Sequence, residues 1–135
     1  MPASILVVDD DPNAREMLGI HLRNAGYEVR TANDGIEGGH AVLERRPDLI
    51  ITDAQMPHMD GFELVAALRS DASVSSIPVI MLTSESEWED RGRRIGVDGY
   101  VSKPIRADRF LDLVREHLKR AEAQPVSTVM RTLAR

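Results

Sequence analysis

The chain has 135 residues, a length that suits one domain with its own apolar core. With 42% apolar and 29% charged residues it falls in the soluble globular class, and a formal net charge of -5 argues against a general nucleic-acid-binding surface. The absence of cysteine excludes a disulfide framework and a thiolate metal site, and no apolar run approaches the roughly 20 residues of a membrane helix.

The N-terminus carries no basic run ahead of its first apolar stretch and does not read as a signal peptide. Residues 5–8 read as a buried strand that stops at Asp9-Asp10-Asp11. Pro12 is placed as the first residue of a helix with Asp11 as its N-cap. Ala14, Met17, Leu18, Leu22 and Ala25 follow at helical spacing, and Gly26 ends the run. Residues 27–32 alternate like a strand, and Asn33-Asp34-Gly35 makes a turn. A second helix is expected over residues 36–46, with Gly38 and Gly39 inside it.

Leu49-Ile50-Ile51-Thr52 is an apolar, mostly β-branched run that ends in the carboxylate of Asp53. It is too short for a helix and reads as a strand buried on both faces, followed by a loop containing Pro57 and Gly61. Phe62, Val65 and Leu68 mark a third helix. Residues 77–82 form a fourth strand ending at Thr83-Ser84, and residues 85–95 a charged fourth helix interrupted by Gly92. Residues 99–102 make a short fifth strand ending at Lys103-Pro104, and residues 105–121 a last helix with Phe110, Leu111, Val114 and Leu118 on one face. Residues 1–121 read as the domain, and residues 122–135 as a tail or the start of a linker.

Strand and helix patterns alternate throughout, which predicts an α/β fold: a doubly wound, five-stranded parallel sheet with helices on both faces. Asp9 and Asp10 follow the first strand, Asp53 ends the third, Thr83 and Ser84 the fourth, and Lys103 the fifth. In a parallel sheet these ends share one edge, where open α/β folds bind ligands. Clustered carboxylates repel one another, and a hard divalent cation relieves the repulsion. Mg²⁺ suits such a site because it takes oxygen ligands, one or two of them carboxylates. A lysine and a hydroxyl beside the metal make a site shaped for a phosphoryl group, which a carboxylate can accept covalently.

These motifs together resemble a response-regulator receiver domain of two-component signalling, over about residues 4–119. The resemblance rests on Asp9-Asp10, on Asp53 with Met56-Pro57-His58-Met59-Asp60-Gly61, on Thr83, on Lys103-Pro104, and on Tyr100 three residues before the lysine. It implies the flavodoxin-like strand order 2-1-3-4-5. It also implies that Asp53 is the phosphoacceptor, with Asp10 and Asp53 binding Mg²⁺ through side chains, Gln55 through its backbone carbonyl and Asp9 through water. Thr83 and Lys103 would hold phosphoryl oxygens, and Tyr100 would follow Thr83 inward to alter a face built from the fourth helix, fifth strand and fifth helix.

The implied partners are a histidine kinase or phosphotransfer protein and an unspecified output protein or domain. The implied setting is cytoplasmic, as a monomer or weak phosphorylation-dependent dimer, with no membrane and no direct nucleic-acid contact. Such a chain is not a conventional enzyme, although it assists its own phosphorylation and dephosphorylation. Two departures stand out. The stretch between Thr83 and Lys103 is shorter than usual for the family by about half a helical turn. Ile105 replaces a common aromatic residue.

Two other functions explain part of the same pattern. A haloacid-dehalogenase-type phosphatase would use Asp9 as nucleophile and Asp11 as acid/base, but it leaves the Asp53 loop unused and lacks a second acidic metal motif after Lys103. A phosphorylation-independent interaction module would not need the acid, hydroxyl and lysine set. Gln55 and Glu85 flank the expected site, where they would affect the access of attacking water. His21, His40, His58 and His117 lack metal-ligand spacing and read as surface or helix residues, Trp88 as a partner contact or a packed anchor, and the arginines between Arg91 and Arg109 as a local basic patch or a solvated surface.

Overall fold

The computed structural model describes residues 2–84 and 88–123, with side chains described outside residues 88–90 and 122–123. Among the described residues five strands alternate with five helices: β1 Ser4–Val8, α1 Pro12–Asn24, β2 Glu28–Ala32, α2 Gly35–Glu44, β3 Leu49–Asp53, α3 Gly61–Ser70, β4 Val79–Thr83, α4 Trp88–Ile95, β5 Gly99–Ser102 and α5 Ala107–Ala123. All strand pairs are parallel, and the sheet order is β2-β1-β3-β4-β5. The expected order 2-1-3-4-5 is the observed one.

Period-two alternation in the central strands divides the core in two. On one face Leu6, Val8, Ile50, Val79 and Met81 meet Val42 of α2 and Phe62, Leu64, Val65 and Leu68 of α3. On the other, Ile5, Val7, Leu49, Ile51, Ile80 and Leu82 meet Leu18 and Leu22 of α1 and Phe110, Val114 and Leu118 of α5. This is why β1, β3 and β4 are buried along their whole length, while β2 and β5 at the sheet edges carry exposed positions.

Caps mark the helix starts that lead away from the functional edge. Asp11 accepts from the Asn13 N–H, and Asp34 accepts from the Glu37 N–H. Asp60 and Glu63 form a reciprocal capping box at the start of α3.

Several boundaries differ from those read in the sequence. α2 ends at Glu44 rather than residue 46, because Arg45 is extended and the Arg30 guanidinium bonds to the carbonyls of Ala41 and Arg45. β4 starts at Val79 rather than residue 77 and includes Thr83. β2 begins at Glu28, and α5 runs from Ala107. α4 begins at Trp88, and the expected residues 85–87 lie outside the described residues, as do the Trp88 side chain and the tail from residue 124. His117 belongs to α5 but is not a surface residue. It is buried, with Nδ1 2.9 Å from the Leu113 carbonyl and Nε2 3.1 Å from that of Asp98.

Candidate functional site

The parallel register brings the strand ends to one edge. Val8 pairs with Thr52, Asp53 with Leu82, and Thr83 with Ser102. Asp9, Asp53, Thr83 and Lys103 therefore emerge side by side from β1, β3, β4 and β5. Asp9 is 0% exposed, Thr83 3% and Asp53 7%, whereas Asp10 is exposed.

Carboxylate oxygens of Asp9, Asp10 and Asp53 lie within 4.8 Å of one another. Lys103 closes the opposite side, with Nζ 3.1 Å from Asp53 Oδ1, and its backbone N–H donates to the Thr83 carbonyl at 3.0 Å. The Lys103–Pro104 peptide bond that follows is cis.

Asp9 is held from three directions. Its N–H donates to Ala32 O at 3.1 Å, its carbonyl accepts from Arg15 at 2.6 Å, and its Oδ1 accepts from the Asp11 N–H at 2.9 Å. Oδ2 is buried and has no hydrogen-bond partner among the described residues. Burial pushes the carboxyl up from 3.8 to about 6; the Asp11 N–H and Lys103 oppose the shift, while Asp53 and Asp10 reinforce it.

The loop after Asp53 is shaped by contacts rather than by exposed chemistry. The Gly61 N–H donates to Ala54 O at 3.0 Å, and a β-carbon on Gly61 would overlap the Asp53 carbonyl oxygen. Only glycine permits this close approach. The loop also docks sideways, because the Gly35 N–H at the start of α2 donates to Met59 O at 3.1 Å.

Asp9, Asp10, Asp53 and Lys103 converge. Thr83 lies at the same edge, and Gln55 is exposed two residues beyond Asp53. Glu85 lies outside the described residues. Tyr100 pairs with Met81 and packs with Ile95, Met56 and Met59 on the core of the α2 and α3 face. Two-residue alternation puts Thr83 on that face as well, because Met81 shares it.

Sequence reasoning missed two contributors. Arg15 fixes the Asp9 carbonyl from six residues away, a spacing with no helical-face signature across the cap. Gly92 reads as a helix interruption, yet it lies against the phenol of Tyr100.

The donor set fits Mg²⁺: three clustered carboxylates, one with a buried oxygen that has no partner among the described residues, offer a hard cation the oxygen ligands it prefers. Asp11 is poorly placed to act as an acid/base in a phosphatase that uses Asp9, since its carboxylate caps α1. Asp9 itself is fully buried. The haloacid-dehalogenase reading is not favoured.

Comparison with known proteins agrees with this edge. The family model of the response regulator receiver domain matches residues 5–115. The chain is 39% identical over 123 residues to the DNA-binding dual master transcriptional regulator RpaA of Synechocystis, covering 90% of this chain and 51% of that protein. It is 40% identical over 127 residues to the DNA-binding response regulator MtrA of Mycolicibacterium smegmatis, covering 93% of this chain and 54% of that protein. The chain thus spans about half the length of the curated relatives it matches.

Among solved structures, the chemotaxis protein CheY4 of Vibrio cholerae superposes with a TM-score of 0.82 at 37% identity, over 86% of this chain and 98% of that one. The receiver domain of a sensor histidine kinase from Pseudomonas aeruginosa PAO1, with a magnesium ion coordinated in its active-site cleft, gives a TM-score of 0.81 at 26% identity over 88% and 99%. This chain belongs to the response-regulator receiver domain family. Its function is that of the family, a phosphoacceptor in two-component signalling.

Proposed function

We propose that Asp53 is the phosphoacceptor and that residues 1–121 form the switch, with residues 122–135 a tail or the start of a linker. The observation that carries this reading is the Asp53 carboxylate set between Lys103, 3.1 Å away, and the carboxylates of Asp9 and Asp10. An Asp53 oxygen attacks the phosphorus of a phosphohistidine on a histidine kinase or phosphotransfer protein. The P–O bond forms as the P–N bond breaks, and the imidazole leaves with the electron pair.

Asp10, Asp53 and the Gln55 carbonyl would hold Mg²⁺, with Asp9 acting through water. When bound, the ion neutralises phosphoryl oxygen charge. Lys103 passes from the Asp53 carboxylate to a phosphoryl oxygen, and the Thr83 hydroxyl donates to another. These groups assist both formation and hydrolysis of the aspartyl phosphate, without turnover of a separate substrate. Thr83 and Tyr100 share a sheet face, so withdrawal of Thr83 toward the phosphoryl group opens space that the Tyr100 ring follows. The change is read on α4, β5 and α5.

The named relatives bind DNA, but this chain spans about half their length. Its net charge of -5 and its acidic functional edge support an output through another domain or protein rather than direct DNA contact by these residues. The setting is cytoplasmic, as a monomer or a weak phosphorylation-dependent dimer.

Intact mass after incubation with acetyl phosphate and Mg²⁺ tests the proposal. One phosphoryl adduct is expected, lost on chelation and in Asp53→Asn. An adduct that persists in Asp53→Asn would place the acceptor elsewhere.

A further inference from the structure

The phenol of Tyr100 lies against the bare α-carbon of Gly92 on α4. A β-carbon built on Gly92 would overlap the phenol oxygen of Tyr100 and come within 2.8 Å of Cζ and 3.0 Å of Cε1. The helix cannot easily withdraw. Arg91, one residue earlier, lies over the Phe62 ring of α3 at 4.2 Å, and Phe62 is buried. On the other side, the Gly92 carbonyl accepts from the N–H groups of Gly96 at 3.0 Å and Val97 at 2.9 Å. Arg69 then fixes the Gly96 carbonyl with two donors, at 3.0 and 2.8 Å. The backbone at Gly92 is thus anchored on both flanks, while the phenol is the far end of a rotatable side chain.

The ring also has somewhere else to go. Tyr100 borders a cavity of about 510 Å³ between the β5 edge and α5, with Val101, Arg106, Arg109, Phe110 and Leu113 among its lining. Two positions are therefore available to one side chain, one against α4 and one toward α5.

We propose that Gly92 is a positioning residue for Tyr100: its missing side chain holds open the seat on α4, and any larger residue there drives the ring into the cavity beside α5. The inference rests on the reading of Tyr100 as the switch only for its consequence in signalling. The seat itself is a property of the unphosphorylated fold. With Gly92 the ring rests on α4 until Thr83 moves. Without Gly92 it would leave α4 before any phosphoryl transfer.

The chain has two tyrosines, and Tyr27 packs in the opposite core. Ring-labelled tyrosine therefore gives one reporter and one internal control in an NMR spectrum. In Gly92→Ala without phosphodonor, the Tyr100 ring signals should move while those of Tyr27 stay. Unmoved Tyr100 signals in a folded Gly92→Ala variant would overturn the proposal. Acetyl phosphate with Mg²⁺ on the wild type tests the switch reading separately. If Tyr100 is still under phosphorylation but moves in Gly92→Ala, the seat stands and the switch role falls.

Melting temperatures provide the second test and cover a poorly folded single variant. Alanine favours a helix over glycine, so Gly92→Ala should raise the melting temperature in a Tyr100→Ala background and fail to do so with Tyr100 present. Equal shifts in both backgrounds would overturn the proposal, as would loss of folding in both.

Discussion

At the scale of single residues, Asp9 carries the clearest electrostatic consequence. Burial raises its carboxyl to about 6 from 3.8, so the folded state holds that proton more tightly than the unfolded chain. The sign is opposite to that of a salt-bridged carboxylate. The contribution is fully present below about 3.8, falls as the pH rises toward about 6, and is absent above it. The corresponding cost of ionised Asp9 at neutral pH is about 3 kcal/mol. In Mg²⁺-free buffer, urea unfolding of wild type and Asp9→Asn should therefore diverge. Asparagine cannot ionise, so the variant gains about 3 kcal/mol on the wild type between about pH 4 and pH 7. A difference that stays flat over that range would mean the buried charge is compensated. Asp9 and Asp53 were legible in the sequence because a carboxylate ending an apolar strand is a local pattern. The Arg15 contact to the Asp9 carbonyl was not, because it depends on where α1 sets its first turn.

At the scale of elements, Arg69 joins segments that the sequence keeps apart. From the end of α3 its guanidinium donates to the carbonyls of Ser75 and Ile77 before β4 and Gly96 after α4, and it pairs with Asp98 at 2.9 Å. Asp98 in turn accepts from the Val79 N–H at 2.8 Å, so one side chain fixes both the entry to β4 and the exit from α4. Arg69→Ala should cost about 2–3 kcal/mol, because several partly buried carbonyls lose a donor at once. Arg69→Lys should recover less than half of this, since an ammonium cannot span the same fork. Urea midpoints at constant slope measure both, and a loss under about 0.5 kcal/mol for Arg69→Ala would show that water replaces the guanidinium. The same physics explains which boundaries could be read. The start of α1 was visible at Asp11 because caps are local, whereas α2 stops where Arg30, on a different element, captures its last carbonyls. Gly92 was visible only as a poor helix former, because its partner Tyr100 comes from the next strand.

At the scale of the whole molecule, the sheet separates two apolar cores and gathers at one edge charges that oppose folding. The strand order was legible because five parallel strands with helices between them leave few right-handed arrangements, and the family motifs select one. The strength of the coupling between that edge and global stability was not, since it depends on how deeply Asp9 and Asp53 sit. A cation that binds the carboxylate cluster only in the folded state must stabilise the entire chain, by about 2.7 kcal/mol at a concentration 100 times its dissociation constant. Thermal unfolding should therefore shift upward with added Mg²⁺ at neutral pH, and the shift should keep growing with the logarithm of concentration once the site is mostly filled. Protons compete for the same oxygens, so the response should shrink as the pH falls through about 6, where Asp9 takes up its proton. Asp10→Asn provides the control. It removes one like charge from an exposed position, so the metal-free fold should melt at the same temperature or higher while its response to Mg²⁺ falls. An equal Mg²⁺ response in wild type and Asp10→Asn at both pH values would indicate ionic screening over the acidic surface rather than a site, and would remove Asp10 from the metal set.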